Sequence, residues 1–231
     1  MKYFTNRQNL VKTGMVVLAA IAPAIVTACG MTSSAQKVKT VPAPPEGQTS
    51  VLVDDLEDGD RFNQFQGTWF TYDDSKQGGD SKAIPQGYSA FTASPGGPEG
   101  SSLTASIKGK VTTTYQHGFL GMGTDLHSPN DPVDISQYNA IEFWAKGDGK
   151  SYRMKLRSPA TGDYDDFGYN FAPTDDWTRY VVTFDELKQE GWGKQSDRNK
   201  ALGQVISITW QTINQPHDSI DLAVDNIRLI K

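Results

Sequence analysis

Period-two alternation is the feature that most constrains this chain. Ile141, Phe143 and Ala145 alternate with Glu142, Trp144 and Lys146, and Tyr152, Met154 and Leu156 alternate with Arg153, Lys155 and Arg157. Phe167, Tyr169 and Phe171 form a third run, and Thr178, Tyr180, Val182 and Phe184 a fourth. Ile206, Ile208 and Trp210 make a fifth, and Ala223, Asp225, Ile227 and Leu229 a sixth. Successive side chains of a strand point to opposite faces, so each run has one buried face and one outward face. Turn clusters separate the runs: Gly147-Asp148-Gly149, Ser158-Pro159 and Pro173-Thr174-Asp175-Asp176. The one helical candidate is the short stretch Asp185–Gln189. Many short strands without βαβ alternation predict an all-β chain folded as an antiparallel β-sandwich or jelly roll.

The first 28 residues read as an address. Lys2, Arg7 and Lys12 precede an apolar run from Gly14 to Ile25, and Val26-Thr27-Ala28-Cys29 follows. A charged start, a short apolar stretch and a small-residue cleavage site make a secretory signal. The run is too short to span a bilayer, which takes about 20 residues. The single cysteine of the chain sits at the expected cleavage point and resembles the acylated cysteine of a bacterial lipoprotein. The expected organisation is a lipoprotein signal peptide over 1–28, an acylated Cys29 with a flexible tether over 29–50, and one β-jelly-roll domain over 51–231. Ser, Thr, Pro and Lys without periodicity give residues 30–50 their linker character. The expected location is the bacterial cell envelope, held to the outer membrane by the lipid anchor alone. Gly30 is not the Asp that resembles an inner-membrane retention signal, which points to the outer membrane.

Charge narrows the partners. Removing residues 1–28 takes three of the 22 basic residues and none of the 27 acids, leaving a formal charge of −8. An acidic domain repels phosphate polymers, so nucleic acid is excluded as a partner. One cysteine excludes an internal disulfide framework and a Cys-rich zinc site.

Three ordered groups of segments carry a family likeness. The first is Val53-Asp-Asp-Leu-Glu-Asp58 with Gly67-Thr-Trp-Phe-Thr-Tyr-Asp-Asp74 and Gly78-Gly-Asp-Ser81. The second runs from Ile141-Glu-Phe-Trp-Ala-Lys-Gly147 through Tyr169–Trp177 to Val182-Thr-Phe-Asp-Glu-Leu187. The third comprises Gly191-Trp-Gly193, Ile208-Thr-Trp-Gln211 and Val224-Asp-Asn-Ile-Arg-Leu229. Together they resemble the family 11 carbohydrate-binding modules of the galactose-binding-like superfamily. The same set looks like the complex I intermediate-associated protein 30 domain. The resemblance implies a two-sheet jelly roll whose concave sheet holds a β-glucan-like neutral polysaccharide without cleaving it. It also implies, as the alternative, a protein-interaction or assembly factor.

Ligand-contact candidates follow from the resemblance and the strand pattern. Tyr72 and Phe119 fall near cleft tyrosines of the family, and Asp163 matches an acidic cleft residue. Trp192, between two glycines, falls where the family has an Arg-x-Asp-Tyr cluster that is missing here. Thr209 and Gln211 lie on the outward side of their strand and Arg153 on that of a basic stripe, and His117 is a polar rim candidate. Pyranose rings stack their apolar C–H faces on aromatic planes, while polar side chains bond the hydroxyls. Trp69, Trp177 and Trp210 read as core aromatics, whereas Trp144 is either a platform or covered by the N-terminal segment. Tyr72, Phe119 and Trp192 exposed and roughly coplanar favour sugar binding; buried, they favour the assembly reading.

Related jelly rolls hold a structural Ca2+ between an N-terminal Glu and an Asp of the last strand. Here those positions are Glu57 and Asp225, and acids solvated at a strand end are the equal alternative. Signals for catalysis are weak. The chain has no G-x-S-x-G, H-E-x-x-H or Walker A motif, and His117, His127 and His217 are too scattered to argue a metal triad. A glycosidase needs two facing carboxylates, and nothing marks a partner for Asp163, Asp165 or Asp166. The chain is therefore read as a non-enzyme that works beside polysaccharide-degrading enzymes supplied by other chains.

Overall fold

The computed structural model describes residues 38–98, 100–127, 131–213 and 215–231. The expected signal peptide and Cys29 lie outside the described residues. The strands in chain order are β1 (Lys39–Thr40), β2 (Ser50–Asp54), β3 (Trp69–Asp73), β4 (Lys82–Ile84), β5 (Ser94–Pro95), β6 (Leu103–Val111) and β7 (Leu120–Asp125). They continue with β8 (Val133–Asp134), β9 (Ala140–Gly147), β10 (Tyr152–Arg157), β11 (Phe167–Phe171), β12 (Thr178–Thr183), β13 (Ser207–Thr212) and β14 (His217–Ile230). One sheet has the order β11-β10-β13-β7-β3, and the other runs β12-β9-β14-β6-β4 with β2 and β5 added beside β14 and β6. Every pairing within these two sheets is antiparallel, and the predicted all-β jelly-roll sandwich is what forms. No helix among the described residues is long and apolar enough to cross a membrane.

The alternation sorts side chains as the pattern predicts. Tyr152, Met154 and Leu156 of β10, Phe167 and Phe171 of β11, and Ile208 and Trp210 of β13 are buried. Ile141, Phe143 and Ala145 of β9 meet them from the other sheet. Aromatic rings run through this core. Trp69 stacks on Phe91 at 5.4 Å and on Trp210 at 5.8 Å, and Trp210 meets the edge of Phe143 at 5.7 Å. Phe143 in turn stacks on Tyr180 at 5.2 Å. Burying such rings removes on the order of 150–250 Å² each from water, which makes them the main anchors of the sandwich. A polar tie joins them: Trp69 Nε1 donates to Asp54 Oδ2 at 2.6 Å, linking β3 to the end of β2. Burial pushes the Asp54 carboxyl up to about 6.

Three local features depart from the sequence reading. The sixth run is broken, because β14 carries a bulge between Asp225 and Arg228 with Asn226 at φ 50°. Leu222 and Val224 are therefore the core residues before the bulge, and Ile227 and Leu229 those after it, while Ala223 faces outward. The helical stretch shrinks to a 3-10 turn, Phe184–Glu186, in which Thr183 and Glu186 form a capping box. One short helix, α1 (Arg198–Leu202), appears instead, capped by Asp197 accepting from the Lys200 amide at 2.9 Å. Part of the expected tether packs on the domain. Val41 is buried, Tyr138 donates its hydroxyl to the Pro42 carbonyl at 2.5 Å, and β1 pairs with β8 in parallel.

The two core tryptophans make a paired test. Trp210 Nε1 is buried without a partner, whereas Trp69 Nε1 satisfies a buried carboxylate. Removing one partner of a buried polar pair costs about 1–3 kcal/mol beyond the lost packing. Trp69→Phe is therefore expected to destabilise the protein by about 2 kcal/mol more than Trp210→Phe in urea denaturation. Equal losses would show that the Asp54 bond contributes nothing.

Candidate functional site

The strand register lays out the outer face of the five-stranded sheet in rows. Tyr72, Gly121, Gln211, Arg153 and Asn170 lie in register across the five strands. The next row is Phe70, Gly123, Thr209, Lys155 and Gly168. Asp125, Ser207 and Arg157 follow. The glycines of β7 form a lowered floor. A Cβ at Gly121 would stand 2.6 Å from the Tyr72 ring, and one at Gly123 would stand 2.7 Å from Thr209 Cγ2. Only glycine lets the neighbouring side chains lie across the strand.

An aromatic row follows the β3 edge. Tyr88 stacks on Phe70 at 4.8 Å, Phe70 meets Tyr72 at 5.9 Å, and Tyr72 meets Phe119 at 6.0 Å with the planes 56° apart. Tyr115 extends the row, edge-on to both Phe119 and His117. Tyr72 and Phe119 are half-buried and mutually tilted rather than coplanar, while Trp192 is 62% exposed.

Polar groups fill the centre. Gln211 Oε1 accepts from Tyr72 OH at 3.2 Å and from Lys155 Nζ at 2.9 Å. Burial pushes the Lys155 amine down to about 8 and raises the Tyr72 phenol above its ordinary range. Thr209 is buried beside Tyr72. The Arg153 guanidinium, also buried, donates to Asn170 Oδ1 at 2.7 Å and to the Lys188 carbonyl. It lines a shallow cavity of about 530 Å³ with Asn170, Lys188 and Glu190. Asp125, pushed up to about 6 by burial, accepts from Tyr88 OH at 3.2 Å.

Acids hold the loops at the β11 edge. Asp165 is buried, and it accepts from the amides of Glu190 at 2.8 Å and of Gly191 and Gly193 at 3.0 Å each. Asp163 accepts from the Lys194 amide at 2.5 Å. Asp166 takes the Thr161 hydroxyl at 2.6 Å and lies 3.4 Å from Arg157. Trp192 Nε1 donates to Glu190 at 3.2 Å.

The sequence candidates thus divide. Tyr72, Thr209, Gln211 and Arg153 share the sheet face, with Phe119 against Tyr72. Asp163 grips the Trp192 loop, and exposed His117 pairs with Gln116 beside Tyr115. Phe70, Tyr88, Lys155 and Asp125 were missed. Phe70 was readable, since Trp69-Phe-Thr-Tyr-Asp73 alternates as the other runs do. Tyr88 comes from a loop and carries no such signal.

At the expected calcium position a hydrogen-bonded arrangement stands. The Ser101 hydroxyl lies 2.9 Å from Glu57 Oε1 and 2.7 Å from Asp225 Oδ2, and Glu57 Oε1 also takes the amides of Ser102 and Leu103. Among the described residues no group of three or more His, Cys, Asp and Glu is placed to hold a metal ion. Trp144, partly covered, stands opposite Asp225 and Arg179 on the outer face of the other sheet.

Fold and face define a jelly roll with an aromatic-rimmed polar sheet. The complex I intermediate-associated protein 30 family matches residues 59–222, and the chain belongs to that family. Endoglucanase 3 of Fibrobacter succinogenes is 26% identical over 211 residues, 85% of this chain and 30% of the enzyme, so the chain spans less than a third of that relative. The family 11 carbohydrate-binding module of a cellulosomal cellulase of Clostridium thermocellum shares the fold at 19% identity. Its TM-score is 0.54, over 78% of this chain and 94% of the module. The structure of the Clostridium thermocellum module with a β-1,3-1,4-mixed-linked tetrasaccharide gives 19% identity and a TM-score of 0.53, over 78% and 95%.

Buried carboxyls set the pH dependence. Asp54, Asp125 and Asp225 are each raised to about 6, chiefly by burial. A carboxyl raised in the folded state adds stability below its unfolded value near 4 and loses it as pH rises through about 6. Hydrogen-bonded Glu57 and Asp148 are lowered, so their contribution is lost only in more acid solution. The melting temperature is expected to rise from pH 7 to pH 5, and a steady fall over that range would contradict it.

Proposed function

We propose that the protein binds a β-glucan-like neutral polysaccharide, without cleaving it, across the outer face of the five-stranded sheet. The observation that carries this reading is the row Tyr88, Phe70, Tyr72 and Phe119 beside the polar pair Gln211 and Lys155. Rings offer the apolar faces that pyranose C–H surfaces stack on, and the central amide, amine and carboxylate match hydroxyls. Their mutual hydrogen bonds hold the groups in place before a ligand arrives, which lowers the entropic cost of binding. The mixed-linked glucan ligand of the Clostridium module and the glucanase activity named for the Fibrobacter relative support the ligand class. In this reading the domain is anchored through acylated Cys29 at the outer membrane and retains chains for polysaccharide-degrading enzymes. The second reading is an assembly factor of the family's eponymous type, and the 56° tilt between Tyr72 and Phe119 is the observation that favours it.

Affinity electrophoresis through gels of mixed-linked β-glucan, xylan or mannan decides between them. Truncating an aromatic anchor typically costs about 2 kcal/mol, roughly thirtyfold in affinity. Retardation by a β-glucan, reduced about thirtyfold in Tyr72→Ala and in Trp192→Ala, is the expected result. Unretarded migration in every gel would overturn the proposal and favour a protein partner.

A further inference from the structure

Tyr164 sits in an unfavourable backbone conformation without the compensation of burial. Its φ is +70°, in the left-handed region, and its side chain is 64% exposed. A bulky L-residue is disfavoured there, and such outliers cluster at binding sites where surrounding structure enforces them. The enforcement is visible on both sides of the residue. Asp163 and Asp165 flank Tyr164, and their carboxylates take the amides of Glu190, Gly191, Gly193 and Lys194. Gly193 approaches so closely that a Cβ there would stand 2.6 Å from Asp165 Cβ. The Tyr164 ring itself lies over Arg157, whose guanidinium carbon is 4.5 Å from the ring centroid.

The same acids therefore tie together the loops that carry Tyr164 and Trp192. These are the two most exposed large aromatic side chains among the described residues, at 64% and 62%. Both loops flank β11, at the edge of the sheet remote from the Tyr88, Phe70 and Tyr72 row on β3. A face with rings at both edges can hold a chain that runs across its strands.

We propose that Tyr164 is a further sugar-stacking ring of this face, contacting a pyranose unit of the chain, and that Asp165 is the residue that positions its loop against that of Trp192. The inference rests on the polysaccharide-binding reading. Asn tolerates left-handed backbone better than Tyr, which separates binding from folding. Tyr164→Asn is expected to melt at the same or a higher temperature than the wild type while its retardation by mixed-linked β-glucan falls five- to tenfold. Asp165→Asn is expected to weaken retardation in the wild-type background and to add nothing in a background that already carries both Tyr164→Asn and Trp192→Ala. Unchanged retardation of Tyr164→Asn, with Trp192→Ala impaired, would overturn the inference and leave the functional reading standing. A marked drop in melting temperature of Tyr164→Asn would also overturn it, by showing a structural role. Failure of the wild type itself to bind would sink the reading and the inference together.

Discussion

The stack of Trp69 on Trp210 is the contact on which the rest of this molecule depends. Period two means that whatever fixes one residue of a strand fixes the direction of its neighbours. With Trp69 and Trp210 in the core, Phe70 and Tyr72 must face outward from β3, and Thr209 and Gln211 from β13. The bond from Trp69 to Asp54 and the edge contact of Trp210 with Phe143 tie the same pair to the other sheet. Core packing and the composition of the outer face are thus two consequences of one arrangement.

The outer face is shaped by removal as much as by addition. Gly121 and Gly123 take side chains out of β7, and Tyr72 and Thr209 settle into the space. Around them charged groups are held by neutral partners: Lys155 by Gln211, Arg153 by Asn170 and the Lys188 carbonyl, and Asp166 by Thr161 beside Arg157, while Arg153 Nε, Arg157 Nε and Asp166 Oδ2 are buried without a hydrogen bond. Buried polar groups of this kind are costly unless paired, and here the pairing also holds them in fixed geometry. Asp163 and Asp165 extend the same logic to the loops by accepting from the amides of Glu190, Gly191, Gly193 and Lys194.

How much of this was legible in the sequence follows from what carries a periodic signal. The strands built on Ile141, Tyr152, Phe167, Thr178 and Ile208 alternate cleanly, and they fold as the pattern predicts. Strand β7 alternates too, but glycine on its outward side erases the contrast that would reveal it. Strand β14 misleads because the bulge at Asn226 shifts the register midway, which no count of alternation detects. In the site, Tyr72, Gln211 and Arg153 were readable as outward members of strands. Tyr88 and Tyr164 belong to irregular segments, where only tertiary contacts decide direction. Asp163 is legible only through the family resemblance and Asp165 carries no signal of its own, because the grip of both on the distant segment 189–194 exists only in the folded chain.

The proposed binding of a neutral glucan chain places that chain on the outer face of the five-stranded sheet. Amide chemical-shift mapping during titration with a mixed-linked β-glucan tetrasaccharide tests it most directly. Binding there is expected to give saturable shifts concentrated on the amides of Phe70–Tyr72, Gly121–Gly123, Thr209–Gln211 and residues 189–194, with the β9 and β12 amides unmoved. Shifts confined to the β9–β12 side, or none at millimolar sugar, would contradict it.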